Sequence, residues 1–135
     1  ELIKFKLQRV DDSGKTLEIV PGATFETKTG EEGFNDLYST DVLLDSPCVY
    51  LIKKDIFVRN NLKFAVGTEH EDFGLIPLIL LKADKVASVD VLGYNYVQTQ
   101  KSITRGNTEI TYKRALDLLY FYDEMVKKIK EYKKE

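Results

Sequence analysis

The sequence predicts an α/β fold, a small mixed sheet with flanking helices and a long helix at the C-terminal end. Three patterns carry that expectation. Apolar and polar residues largely alternate from Leu2 to Val10, the period of two that a half-buried strand requires. Short apolar runs bounded by turn residues recur at residues 48–52, 86–90 and 92–98. Near the end, Ala115, Leu118, Tyr122, Met125, Ile129 and Tyr132 recur three and four apart, which puts them on one face of a helix.

In the first strand Ile3, Phe5 and Leu7 fall on one side and Lys4, Lys6 and Gln8 on the other. Asp11-Asp12-Ser13-Gly14 supplies turn chemistry, so residues 16–20 are expected to return antiparallel until Pro21-Gly22 stops the run. Phe34, Leu37, Tyr38 and Val42 sit three to four apart and suit a short helix after Gly30. Ser46-Pro47 punctuates the chain before the strand at 48–52, and residues 55–61 read as a helical turn closed by asparagines. Thr68-Glu69-His70-Glu71 has the spacing of a capping box, in which the threonine oxygen accepts from a helix amide and the glutamate reaches back to the cap. A helix is therefore predicted from Thr68 to Ala83, kinked at Pro77, because proline lacks the amide hydrogen and disfavours a helical predecessor. Two strands separated near Gly93 follow, and Asn107 or Thr108 caps the final helix.

Composition bounds the function. At 135 residues the chain fits one domain, and 43% hydrophobic with 31% charged residues is the balance of an ordinary globular protein. A net charge of −2 excludes a general nucleic-acid binder, which needs a basic surface to displace counterions. Cys48 is the only cysteine and His70 the only histidine, so a disulfide framework, a cysteine zinc site and a pair of histidine ligands are all excluded within one chain. The longest apolar stretch, residues 75–81, contains Pro77 and is far shorter than the roughly 20 residues that span a bilayer. No basic segment followed by an apolar one opens the chain, so no signal peptide is expected; lacking an initiator methionine, the chain reads as an excised piece. The cytoplasm is the expected compartment.

Glycine-rich phosphate loops and serine elbows are absent, and the one dense cluster of chemistry is Glu69-His70-Glu71-Asp72. Carboxylates in a first helical turn interact favourably with the helix dipole, so a cap explains the cluster. The functional alternative to this plainer reading is a carboxylate aimed into a cleft, abstracting a proton from a hydroxyl. Spacing does not choose between the two.

The order of features around the cluster does favour one. Pro47-Cys48-Val49-Tyr50-Leu51-Ile52-Lys53-Lys54-Asp55-Ile56-Phe57, then Asn61-Leu62-Lys63-Phe64, His70-Glu71-Asp72-Phe73, Tyr94-Asn95-Tyr96 and Lys101-Ser102-Ile103-Thr104 together resemble the second half of bacterial family 2 glycosyltransferases. The resemblance covers residues 47–105. It implies part of a GT-A fold and an inverting enzyme in which the aspartate of a Glu-Asp motif deprotonates the acceptor hydroxyl. Asp72 matches that aspartate and Glu71 the acid before it, while His70 matches a residue that lines the cleft. Tyr96, Ser102, Thr104 and Arg105 fall where the family has a loop that closes over the donor diphosphate or the acceptor. Hydroxyls and a guanidinium suit a pyrophosphate leaving group. A polar surface turn ending at Gly106 is the plainer reading of the same residues. Arg105 also departs from the family pattern, which sets a basic residue directly after the Tyr-x-Tyr strand, where Val97 and Gln98 stand here.

A larger departure concerns the donor side. Family members carry an N-terminal nucleotide-binding half and an Asp-x-Asp motif that holds Mg²⁺ or Mn²⁺ on the diphosphate, and this chain contains no Asp-x-Asp. No metal ligand is assigned in the fragment; the ion is expected in the full-length enzyme, and the piece by itself is expected to be inactive. Residues 1–107 are accordingly expected to be the C-terminal half of a GT-A domain, with residues 108–135 an accessory helix packed on it. The expected partners of the parent enzyme are a nucleotide-sugar donor and a saccharide or lipid-linked acceptor. Lys127, Lys128, Lys130, Lys133 and Lys134 give the helix end a basic character that can attract an anionic membrane surface, or simply complement the helix dipole. The helix stripe leaves a homodimer open as well. The alternative to a transferase is a noncatalytic binding or assembly module that uses this helix as its interface.

Overall fold

In the computed structural model, which describes residues 1–40, 45–68, 70–99 and 111–133, the predicted first strand forms as β1 (Leu2–Val10). Its N-terminal end pairs antiparallel with the short strand β4 (Tyr50–Ile52), and its C-terminal end with β2 (Thr16–Ile19). On its other edge it runs parallel to β5 (Val86–Val97), which in turn pairs antiparallel with β3 (Phe25–Lys28). The sheet is therefore mixed, in the order β2-β1-β5-β3 with β4 beside β2 on the same edge of β1. The hairpin turn forms as its composition requires, with Asp11 Oδ1 accepting from the Ser13 amide, the Ser13 hydroxyl and the Lys15 amide.

Three strand expectations are corrected. The face predicted for β1 is broken, since Leu2, Lys4, Leu7 and Val10 are buried whereas Ile3 is exposed. The cause is a pair of register irregularities against β5 between Lys4 and Leu7, which shift the alternation by one residue. Those irregularities also let β5 run on as one 12-residue strand through Gly93, where two strands were expected. The third correction is at 48–52, where a 3₁₀ turn over Pro47–Val49 precedes a strand of only three residues. Strand β3 has no counterpart among the expectations; its sequence Phe-Glu-Thr-Lys is too short for a period to register.

Helix α1 (Gly30–Thr40) follows β3. Its start is a capping box: the Thr29 hydroxyl accepts from the Glu32 amide at 3.3 Å, and the Glu32 carboxylate accepts from the Thr29 amide at 3.0 Å. The expected member Val42 lies outside the described residues. Helix α2 (Lys54–Arg59) ends at Asn60, with Asn61 in the left-handed region at φ 50°. Helix α3 (Ile76–Lys82) is apolar almost all round and wholly buried from Ile76 to Leu81, the mark of a central core helix. Pro77 sits in its first turn, where the missing amide hydrogen costs nothing, so it starts the helix and does not kink it. Its Ile79 and Leu80 share one core with Leu2, Leu37, Ile56 and Val86.

The long final helix is α4 (Thr111–Tyr132); its proposed caps Asn107 and Thr108 lie outside the described residues. It packs on α3 through Phe121 and Met125, which are buried, with Leu118, Ile129 and Tyr132 half-buried. Ala115 and Tyr122 of the predicted stripe face solvent instead. Phe121 takes the buried place expected of Tyr122, its ring fitting against Gly74, where there is no side chain to obstruct it, while Leu118, Met125, Ile129 and Tyr132 keep the expected face. At the far end Lys82 Nζ lies 4.8 Å from the centre of the Tyr132 ring, a cation–π contact that ties α4 to the end of α3.

Candidate functional site

The acidic segment does not begin a helix at Thr68. His70 takes a left-handed backbone at φ 62°, and this reversal separates Thr68 from the turn that follows. Thr68 Oγ1 is buried and has no hydrogen-bond partner among the described residues, so it caps nothing. The turn is instead organised by Asp72. Its Oδ1 accepts from the Phe73 amide at 2.9 Å, and its carbonyl accepts from the Leu75 and Ile76 amides at 3.0 and 2.9 Å, leading directly into α3. The helix therefore starts at Ile76, with Leu75 in the N-cap place and no side chain capping it, instead of at the expected Thr68; Glu69 lies outside the described residues.

Asp72 and Glu71 meet different surroundings. Glu71 lines a narrow groove of about 150 Å³ between α3 and α4, with Lys63, Gly74, Leu78, Tyr120 and Phe121. Asp72 is half-buried, and that burial holds its carboxyl above the usual aspartate range; the charge of Glu71 adds to the rise, while the Phe73 amide and His70 oppose it.

A second carboxylate, absent from the expected site residues, stands near enough to Asp72 to feel its charge. Asp45 is pushed up to about 6, first by burial and then by the charge of Asp72, with the Tyr38 hydroxyl pulling the other way by donating to its Oδ1 at 3.4 Å. Burial, and then Asp45 itself, push the Tyr38 phenol above the usual tyrosine range. Tyr38 is anchored by stacking on Phe34, ring centres 4.2 Å apart, one turn earlier on α1. The site is thus assembled from the end of α1, the loop before the 3₁₀ turn and the loop before α3. An aspartate before Ser-Pro looks like a turn residue, which is why sequence reasoning passed over it.

Tyr96 lies at the end of β5, beside Arg9 in register, and packs partly against the core. Its neighbour Tyr94 shares a hydrogen bond with the Cys48 thiol, which raises the Tyr94 phenol. Ser102, Thr104 and Arg105 lie outside the described residues. Among the described residues no group of three His, Cys, Asp or Glu side chains is arranged to hold a metal ion. No described helix is long and apolar enough to cross a membrane. No protein-family model matches the chain, and no curated protein matches it.

Proposed function

We propose that the chain is the acceptor-side part of an inverting family 2 glycosyltransferase with a GT-A fold, and that Asp72 is its general base. The observation that carries the reading is Asp72 itself, a half-buried carboxylate of raised pKa in the middle of the ordered motifs that resemble this family. In this reading the acceptor hydroxyl gives its proton to Asp72 as its oxygen attacks the anomeric carbon. The bond from that carbon to the nucleoside diphosphate breaks, and the configuration inverts. A carboxylate whose pKa is raised by burial is a stronger base than an ordinary aspartate. Glu71 and His70 are assigned to the acceptor side; Tyr96, near the end of β5, and by the resemblance Ser102, Thr104 and Arg105 are assigned to contacts with the donor or acceptor.

Donor binding, and the Mg²⁺ or Mn²⁺ that would neutralise the leaving diphosphate, are assigned to a nucleotide-binding half of the parent enzyme. The acceptor is a saccharide or a lipid-linked saccharide of the bacterial envelope, met on the cytoplasmic side. The coding sequence upstream of Glu1 tests this. A strand-rich segment ending in Asp-x-Asp is expected there. An upstream region without one would overturn the assignment in favour of a noncatalytic module, a reading whose support is the exposed apolar stripe of α4.

A further inference from the structure

The outer face of α4 changes character along its length. Opposite the buried Phe121 and Met125, the first half presents Tyr112, Leu116 and Leu119, with Tyr120 and Tyr122 at its margins, and all five are exposed, Tyr112 to 76% and Leu119 to 63%. The second half of the same face carries Lys127 and Lys130, with Lys133 at its edge, all exposed. Lys127 pairs with Glu124 at 2.9 Å, whereas no described carboxylate pairs with Lys130 or Lys133. Asp123 is the single acid between the two halves on this face. An exposed strip of leucine and tyrosine continuous with unpaired lysines is chemically two-sided, and both sides need a partner.

From this face we infer that α4 docks the protein on an anionic lipid bilayer, lying in the plane of the headgroups. Leucines enter the acyl boundary, tyrosines keep their hydroxyls among the headgroups, and lysines reach acidic lipids through long apolar stems. A second copy of the chain fits this face poorly. The apolar strip is about 15 Å long and one helix wide, far below the roughly 800 Å² per partner of a stable interface. Parallel pairing would set lysines against lysines, and antiparallel pairing would set lysines on leucines. The inference does not depend on the transferase reading, and its test involves no turnover.

The chain contains no tryptophan, so Leu119→Trp gives a single emission probe on the face. Vesicles of phosphatidylcholine with about one-third phosphatidylserine should shift that emission to the blue and carry the protein down on sedimentation, with reversal when salt shortens the screening length to a few ångströms. Lys127→Gln/Lys130→Gln/Lys133→Gln, at exposed positions that leave the core untouched, should weaken binding about tenfold or more. Absence of a shift with anionic vesicles, or equal binding to vesicles of phosphatidylcholine alone, would overturn the inference. A blue shift that grows with protein concentration and needs no lipid would also overturn it, by assigning the face to a second copy.

Discussion

Gly74 and Phe121 meet so closely that a β-carbon on Gly74 would stand 2.8 Å from Cδ1 and 3.0 Å from Cβ of the phenylalanine. This contact fastens α4 to the acidic turn, two residues beyond Asp72. Phe121 is buried and flanked by the rest of the α3–α4 seam, so its ring has little room to retreat. Gly74→Ala should therefore overpack the seam and cost about 1–3 kcal/mol of stability, read as a lowered urea midpoint. A midpoint equal to that of the parent would mean that α4 is not seated on Gly74.

A harsher clash is expected at Gly30, where a β-carbon would stand 2.2 Å from the Leu80 carbonyl oxygen and 2.4 Å from that of Ala83. Both obstacles are backbone, and the Gly30 amide already donates to the Ala83 carbonyl at 3.0 Å, so α1 cannot slide without losing that bond. Gly30→Ala should cost about 3 kcal/mol or more, and more than Gly74→Ala in the same titration. The reverse order would contradict the docking of α1 on the end of α3.

At His70 the backbone is the issue. A left-handed conformation costs an L-residue about 1 kcal/mol, and glycine removes that cost while adding a similar entropy to the unfolded chain. His70→Gly should leave stability within about 0.5 kcal/mol, whereas β-branched His70→Val should lose more than about 1 kcal/mol. Equal tolerance of both would argue against the reversal at this residue.

Asp45 makes a prediction about pH. Its folded-state pKa, about 6, lies above the ordinary value of 3.8, so between these values the folded state holds the proton more tightly than the unfolded chain. Stability from this group therefore falls as pH rises through that window, and the penalty is complete above it. The carboxyl is only partly buried, so solvent screening reduces the effect, and Asp45→Asn should gain about 1 kcal/mol at pH 7. The variant should gain little at pH 4, and its pH–stability curve should be flatter from 4 to 6. A loss of stability at pH 7 would show that ionised Asp45 is held by favourable contacts.

What could be read from the sequence followed the strength of its local signals. Strand β1, its hairpin and helices α1, α2 and α4 stood out because period and turn residues agreed with the tertiary packing. The capping box was expected at Thr68–Glu71 and stands instead at Thr29–Glu32, since the motif needs a helical successor and His70 denies it one. Lys4 was placed on the outer side of β1 and is buried, because a register irregularity is a property of the strand pair and leaves no trace in either strand. The acids of the site were legible as a cluster. Their division between an α4 groove for Glu71 and the Asp45 side for Asp72 was not, because it arises from three segments far apart in the chain.

The most direct test of the proposed transferase is Asp72→Asn in a protein that carries this chain together with the proposed nucleotide-binding half, with sugar transfer and nucleotide-sugar binding measured on the same preparation. Removing a general base while keeping the shape of the side chain should slow transfer by about 10²-fold or more. Donor affinity should stay within about twofold, because the base acts on the acceptor. Transfer at the parental rate by the Asp72→Asn enzyme would contradict the assignment.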